Sequence, residues 1–302
     1  IMRFFFASII LCCFGLAACH TKSPTPASSP LFAKVTADSS GIAFRNDIKD
    51  SEKFNIFTYR NFYNGGGVAI GDINNDGLAD VFFTANMGAN KIYLNKGNFK
   101  FEDISEAAGI AAANQWSTGV VMVDLNNDGW LDIYVCNAGF ATGMTTRNAL
   151  YINNQNNTFT ESAAQYGLDD DGYTTHAAFF DYDLDGDLDC YILNNSFIPV
   201  NTLNYANSRQ LRAKDWPVAD FLKGGGDKMM RNDNGQFVDV SETAGIYGSL
   251  IGFGLGVTVG DVNGDHYLDI YVSNDFFERD YLYINQKNGS FREALEDWMQ
   301  HI

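Results

Sequence analysis

Residues 72–80 read Asp-Ile-Asn-Asn-Asp-Gly-Leu-Ala-Asp, and this nine-residue pattern returns at residues 124–132, 181–189 and 261–269. We number these copies loop 1 to loop 4. In every copy, positions 1, 5 and 9 are Asp and position 3 is Asn or Asp. Short apolar runs with β-branched and aromatic residues precede and follow each copy, which is typical of strands. The pattern therefore predicts four β-hairpins, each with an acidic loop between its strands.

The loops have the chemistry of a site for a hard cation. Calcium takes six to eight oxygen ligands in a tolerant geometry, and a backbone carbonyl usually serves at position 7. Mg²⁺ is our second choice, because it demands stricter octahedral geometry. The predicted ligands, with position 7 acting through its carbonyl, are Asp72, Asn74, Asp76, Leu78, Asp80, Asp124, Asn126, Asp128, Trp130, Asp132, Asp181, Asp183, Asp185, Asp187, Asp189, Asp261, Asn263, Asp265, Tyr267 and Asp269.

The flanking residues distinguish these loops from EF-hands. An EF-hand needs a bidentate Glu at position 12. Position 6 is Gly in three copies, as a positive φ angle favours. His266 replaces it in loop 4, so we expect that site to be weaker. None of the four copies has Glu at position 12, so the loops are not EF-hands. The residues there are Phe83, Val135, Ile192 and Val272.

A simple turn is the alternative interpretation of the loops. Asn-Asp-Gly is a common hairpin signal that needs no metal. It does not account for the Asp at positions 1 and 9 of every copy. Carboxylates ~4 Å apart repel each other by about 4 kcal/mol per pair at an effective dielectric constant near 20. We therefore favour a structural cation site.

Bulk composition excludes one class of partner. The chain of 302 residues carries a net charge of −17, whereas nucleic-acid binding needs a basic surface. Its hydrophobic fraction of 46% is sufficient for a packed core.

The first 19 residues are predicted to be a signal peptide, because Arg3 precedes an apolar run too short to span a membrane. The segment ends Leu-Ala-Ala-Cys19 and resembles a bacterial lipobox, which implies cleavage before Cys19 and acylation of its thiol. An ordinary signal peptide with a chance Cys is the alternative. Residues 20–30 form a Pro/Ser-rich tether. We expect a lipid-anchored, extracytoplasmic protein at the outer membrane or cell surface, with no other membrane contact.

Each repeat continues beyond its hairpin with two more predicted strands. The third ends in Asn and lies at residues 91–95, 149–153, 228–232 and 281–285. The fourth lies at residues 99–104, 158–161, 236–240 and 290–293. Four strands recurring at this interval are typical of a propeller blade. The sequence therefore predicts an all-β fold, a β-propeller of four-stranded blades.

With these loops and strands, the sequence resembles the FG-GAP/VCBS repeat proteins, whose acidic loops join the first two strands of each blade, as in integrin α-chains. More narrowly, it resembles bacterial repeat lipoproteins associated with ASPIC/UnbV domains. The resemblance covers residues 31–302 and implies a calcium-binding scaffold or binding module.

Four blades are predicted, at residues 65–110, 117–168, 176–246 (with an insertion at 194–227) and 252–297. Residues 31–42 match a fourth strand and its closing segment without partners before them. We therefore expect a fragment of a seven- or eight-bladed ring in which this strand closes a missing last blade. A closed four-bladed propeller is the alternative.

A ligand face is expected opposite the cation loops, where the longer connections carry aromatic and Arg residues. Such side chains suit a glycan or protein partner. The alternative is that they pack the insertions against the blades. The candidates are Tyr59, Arg60, Tyr63, Trp116, Arg147, Tyr173, Arg209, Arg212, Trp216, Phe276, Phe277 and Arg279.

No Gly-x-Ser-x-Gly, His-Glu-x-x-His or Cys-x-x-Cys motif occurs in the sequence, so we expect a binding module rather than an enzyme. The alternative, a polysaccharide lyase or hydrolase, would rely on carboxylates such as Asp275, Glu278 and Asp280, or those of residues 169–171. Cys136 and Cys190 are predicted to be buried free thiols, because equivalent strands point them to opposite faces.

Overall fold

The computed structural model describes residues 30–111, 114–138, 144–198, 209–275 and 277–299. The chain divides into two compact units, residues 1–36 and residues 37–302. In the first unit, residues 30–36 form no helix or strand. The predicted signal peptide and Cys19 lie outside the described residues. Within the described ranges, no helix has the length and apolar character needed to cross a bilayer.

The described part of the second unit contains four antiparallel sheets of four strands each, and in every sheet neighbouring strands follow chain order. Sheet 1 consists of β1 (Val68–Gly71), β2 (Asp80–Phe83), β3 (Lys91–Asn95) and β4 (Phe101–Asp103), and sheet 2 of β5 (Ser117–Val123), β6 (Asp132–Asn137), β7 (Ala149–Asn153) and β8 (Phe159–Glu161). Sheet 3 consists of β9 (Thr174–Phe180), β10 (Asp189–Asn194), β11 (Lys228–Asn232) and β12 (Phe237–Asp239), and sheet 4 of β13 (Gly254–Gly260), β14 (Asp269–Asn274), β15 (Tyr281–Asn285) and β16 (Phe291–Glu293). The prediction of an all-β fold with four-stranded blades is confirmed.

The core lies between consecutive sheets. Every residue of β6 and β10 is buried, because each of these strands is covered on both faces. One cluster joins Phe82 of sheet 1 to Val135 of sheet 2, and another joins Tyr134 of sheet 2 to Ile192 of sheet 3. A third cluster joins sheets 3 and 4. Burial on both faces explains why these strands read as continuous apolar runs.

Threonine hydroxyls connect neighbouring sheets beside the start of their first strands. Thr84 itself follows β2, opposite the start of β1. The Thr84 hydroxyl donates to the carbonyl of Thr118, at 2.6 Å, and the Thr118 hydroxyl donates to the carbonyl of Thr174, also at 2.6 Å. The Thr175 hydroxyl donates to the carbonyl of Gly254 at 3.0 Å. The first strands therefore lie side by side in chain order, as the inner strands of successive blades do.

A short closing segment after each of three outer strands packs against the next sheet. Sheet 2 continues into helix α2 (Ala163–Tyr166), which ends at Gly167 with a φ of 76°. A Cβ atom on Gly167 would lie 2.7 Å from the carbonyl oxygen of Phe237. Gly109 and Gly245 also have positive φ angles and face the carbonyl oxygens of Phe159 and Phe291.

The strand predicted within residues 31–42 does not form. Residues 37–40 form helix α1 (Ala37–Ser40) instead. Gly41 follows with a φ of 84° and faces the carbonyl oxygen of Phe101, so residues 37–42 have the geometry of a closing segment. A strand needs a hydrogen-bonded partner, and the described strands beside this segment already belong to a complete four-stranded sheet.

The insertion predicted at residues 194–227 connects β10 and β11. Its described part contains 3-10 helices at Ala213–Asp215 and Asp220–Leu222. Trp216 packs there with Ile198, Leu250 and Ile251 in a separate apolar cluster. Beyond sheet 4, helix α3 (Leu295–Trp298) packs on β15 through Leu295.

Candidate metal centre

The last Asp of each loop is buried and fixed by two backbone donors. In loop 1, Asp80 is fully buried and accepts hydrogen bonds from the N–H of Ile73 at 3.0 Å and of Asn95 at 2.7 Å. The first donor is loop position 2, and the second ends the third strand. The equivalent carboxylates, with the same two donor positions, are Asp132, Asp189 and Asp269.

The first Asp of the loop organises the turn. Asp72 accepts from the backbone N–H of Asp76 at 3.1 Å and of Gly77 at 2.7 Å. Asp76 in turn accepts from the N–H of Leu78 at 2.9 Å. The loop backbone therefore folds around the oxygens at positions 1 and 5. Loops 2 and 4 repeat all of these bonds.

Position 6 has a positive φ angle in all four loops, as predicted, including 73° at His266. Position 4 does too, which the sequence analysis missed. There the φ angles of Asn75 and Asn127 are 56° and 55°, that of Leu184 is 64°, and that of Gly264 is 75°. Asn tolerates this conformation well, so Asn at position 4 of loops 1 and 2 was the available signal. Leu184 and His266 carry conformational strain.

Burial raises the pKa of three position-9 carboxylates. The pKa of Asp132 rises to about 6 and that of Asp189 to about 7, mainly through burial, with nearby loop carboxylates adding to the shift. The pKa of Asp80 rises for the same reasons. The hydrogen bonds that these carboxylates accept from backbone N–H groups oppose this rise in pKa. Ionising these buried carboxylates therefore costs free energy, and a bound cation would offset that cost.

Loop 3 brings three carboxylates together. Asp181, Asp183 and Asp189 each offer an oxygen atom within 4.8 Å of the others. One oxygen of Asp183 and one of Asp187 are buried without a hydrogen-bond partner. Of the acidic groups in the described ranges, this triad alone meets that spacing. Unpartnered carboxylate oxygens fit a hard cation such as Ca²⁺.

The Asn that ends each third strand supports the loop, a role that the sequence analysis missed. Asn153 donates through its side chain to the carbonyl of Leu131 at 3.1 Å and to the carbonyl of Ile73, in the neighbouring loop, at 2.8 Å. Asn285 bonds Leu268 and Tyr182 in the same way. The recurrence of this Asn in all four copies was the available signal.

Neighbouring loops also contact each other directly. The Asn75 side chain of loop 1 donates to the carbonyl of Gly129 in loop 2, at 3.0 Å. Loops 1 and 2 thus lie at the same end of their sheets.

Most aromatic candidates for the ligand face are buried, as in the alternative that they pack the insertions against the blades. Tyr59 and Trp116 are 1% exposed and pack with Phe54 and Phe62, and Tyr173 joins the same cluster. Trp216 is 7% exposed. These side chains are the cores of the long connections, because loops of this length need their own apolar packing. Tyr63, 62% exposed, and Phe277, 38% exposed, remain at the surface; Phe276 lies outside the described residues.

The arginine candidates hold connections together. Arg60 donates to the carbonyl of Ile198 at 3.0 Å, with its guanidinium 4.9 Å from the ring centroid of Phe253. The other contacts are Arg147 with Asp169, Arg209 with Glu278, Arg212 with the carbonyl of Ile246, and Arg279 with Glu293 and Glu296.

The carboxylates considered for catalysis have structural contacts. The side chain of Glu278 is 3% exposed, and its carboxylate lies 2.7 Å from Nε of Arg209. Asp280 accepts from the backbone N–H of Asn274 at 2.8 Å and from the hydroxyl of Tyr271. Neither arrangement leaves a carboxylate free in an open cleft.

A cavity of about 400 Å³ lies where the first strands begin, at the opposite end of these strands from the cation loops. Trp116, Thr118 and His176 line it together with the Gly65–Gly67 backbone. Its lining contains no Asp, Glu, Lys or Arg. The cavity therefore suits an uncharged group.

Comparisons with known proteins agree with this geometry. The model of the FG-GAP-like repeat matches residues 72–135 and 140–192, and that of the FG-GAP repeat matches residues 253–284. Cartilage acidic protein 1 from Xenopus tropicalis is 39% identical over 74 residues, which are 24% of this chain and 11% of that protein. The same protein from Mus musculus is 36% identical over 69 residues, 23% of this chain. The matched region spans 11% of the length of each relative. The matched segments of this chain are FG-GAP-like and FG-GAP repeats.

Proposed function

We propose that this protein is a calcium-binding, membrane-anchored, extracytoplasmic scaffold that binds a glycan or protein partner. Its FG-GAP repeats indicate a binding or scaffold module. The observation that carries the calcium assignment is the loop 3 cluster, where three carboxylates converge and two oxygens lack partners. Mg²⁺ is the weaker candidate, because it demands stricter octahedral geometry.

The role of the cation in this proposal is structural. Asp side chains at positions 1, 5 and 9, with Asn or Asp at position 3, would hold it. The charge of the ion would offset the repulsion among the carboxylates. The position-9 carboxylate already links the loop to the third strand through two backbone N–H groups. Binding at the loop would therefore stabilise the first three strands of a blade together.

Thermal melting of the full chain tests the structural role. Calcium after chelator treatment should raise the melting temperature, because an ion that binds only the folded state adds to its stability. Asp124→Asn should reduce the gain, whereas Asp47→Asn, at an exposed site outside the loops, should not. A melting temperature that neither chelator nor calcium changes would refute a structural role for cation sites.

The segment Leu-Ala-Ala-Cys19, which resembles a lipobox, supports the lipid anchor. When the full reading frame is expressed in a bacterium with labelled palmitate, the protein should take up label, and Cys19→Ala should abolish uptake. Cys13→Ala is the matched control, because Cys13 lacks the preceding Leu-Ala-Ala. Label retained by Cys19→Ala would contradict the anchor.

The partner would bind at the end opposite the cation loops. The uncharged cavity and the exposed ring of Tyr63 support a neutral, hydroxyl-rich ligand such as a glycan. A glycan array with the full chain should show binding without turnover, weakened by Tyr63→Ala. Cleavage of the bound glycan would contradict the scaffold function and favour an enzyme. Absence of glycan binding would leave a protein as the proposed partner.

A further inference from the structure

Loop 3 differs from the other loops in its number of carboxylates. It has Asp at positions 1, 3, 5, 7 and 9, whereas each of the others has Asp only at positions 1, 5 and 9. The two additional residues are Asp183, where the other loops have Asn, and Asp187. The residues equivalent to Asp187 are Leu78, Trp130 and Tyr267.

Each of the two additional carboxylates has one buried oxygen atom. Asp183 belongs to the triad whose oxygens lie within 4.8 Å of one another. One oxygen of Asp183 and one of Asp187 have no contact with solvent and no hydrogen-bond donor. A buried acceptor without a donor costs about 1–3 kcal/mol, and more when it is charged. These two oxygens are therefore the ones that an ion would satisfy.

In loops 1 and 4, the Asn at position 3 already donates a hydrogen bond to the carboxylate at position 5. The carboxylate of Asp76 accepts from the side chain of Asn74 at 3.1 Å, and that of Asp265 accepts from Asn263 at 3.0 Å. Lys287 also lies 3.3 Å from Asp265. Near loop 3, the guanidinium of Arg231 instead forms a bidentate pair with Asp233, at 2.7 and 3.0 Å.

We infer that loop 3 is the first cation site to fill, and that Asp187 binds the ion through its side chain. This inference rests on the proposed function, since it assumes that the loops take up calcium. Affinity in oxygen-ligand sites rises with the number of charged ligands. We expect calcium to bind loop 3 about tenfold more tightly than the other three loops.

The test is calorimetric titration of calcium into the full chain after treatment with chelator. The wild-type protein should show one tight site and a weaker class. Asp187→Leu, which gives loop 3 the residue of loop 1, should bring the tight site down to the weaker class. The reciprocal change, Leu78→Asp, should tighten loop 1. Asp183→Asn tests the second carboxylate without changing side-chain size and should weaken the tight site too.

The outcomes separate this inference from the proposed function. Uptake by the wild type with the same tightest dissociation constant in Asp187→Leu would overturn the inference and leave calcium binding intact. Loss of the tight site in Asp187→Leu, with native circular dichroism and the weaker class retained, would support it. No heat of binding in any folded variant would overturn both.

Discussion

At the scale of single residues, Asp227 shows how one side chain sets a pH dependence. It precedes β11 and accepts from the N–H of Asn194 at 3.0 Å and from the hydroxyl of Tyr191 at 2.8 Å. Burial raises its pKa to about 7, although both hydrogen bonds oppose the shift. In sheet 2, the equivalent residue is Asn148. Its side chain accepts from the N–H of Asn137 and donates to the hydroxyl of Tyr134.

Asp227→Asn should therefore stabilise the fold above neutral pH. The folded-state pKa lies above the unfolded value of about 3.9, so the contribution of Asp227 to stability falls as the pH rises from about 4 to about 7. At about 1.4 kcal/mol per pKa unit, the gain at pH 8 could reach about 4 kcal/mol, and it should shrink towards pH 4. Urea denaturation of the wild type and of Asp227→Asn, in saturating calcium, measures this gain. Identical pH profiles of stability for the two proteins would contradict the raised pKa of Asp227.

The positive φ angle at loop position 6 predicts opposite effects at two loops. Gly129→Ala should destabilise by about 1 kcal/mol, because the new Cβ would meet no atom within 4 Å and conformation alone contributes. His266→Gly should relieve strain at a φ of 73° and tighten calcium binding in loop 4. Denaturation and calcium titration of both variants check this. If His266→Gly bound calcium more weakly, the strain interpretation would be wrong.

At the scale of elements, the closing segments fix the distance between sheets. Gly109 and Gly167 have nearly the same φ angles, 78° and 76°. An added Cβ would lie 3.5 Å from the carbonyl oxygen of Phe159 at Gly109, but 2.7 Å from that of Phe237 at Gly167. Gly167→Ala should therefore destabilise by about 1–3 kcal/mol more than Gly109→Ala, through overpacking. Equal losses in thermal or urea unfolding would refute this packing role.

Strand positions were largely predictable, because the same sequence pattern recurs in each repeat. The third strands are confirmed at the predicted bounds, and loops 1 to 4 join the first two strands of their sheets. The thiol prediction was right for an incomplete reason. Cys136 and Cys190 are free and point to opposite faces of their own sheets, but those faces meet in one buried cluster. The alternation of side chains along a strand predicts the face on which a residue lies, but not which neighbouring sheet covers that face.

At the scale of the whole molecule, the number of blades stays a prediction. In sheets 2 and 4, the residues two and four positions before the loop pack against the preceding sheet; those of sheet 4 are Val257 and Val259. The equivalent residues of sheet 1 are Val68 and Ile70, which are 55% and 67% exposed. This apolar face agrees with the expectation of a larger ring.

The ligand face was the least predictable part of the molecule. Aromatic residues in long connections serve binding and packing equally well in a sequence, and only tertiary contacts separate the two. Trp116 is buried in an aromatic cluster, whereas Tyr63 of the same region remains exposed. The four acidic loops were easier to predict, since the same spacing of oxygen side chains recurs in every copy. Their role as cation ligands stays a prediction.

The most direct test of the account is a count of bound ions. Native mass spectrometry of the folded full chain, after chelator and then roughly millimolar calcium, should reveal up to four calcium ions per chain. Replacing the first Asp of a single loop, as in Asp72→Asn, should lower that count by one. A folded chain that takes up no divalent ion under these conditions would contradict the central claim that the acidic hairpin loops are cation sites.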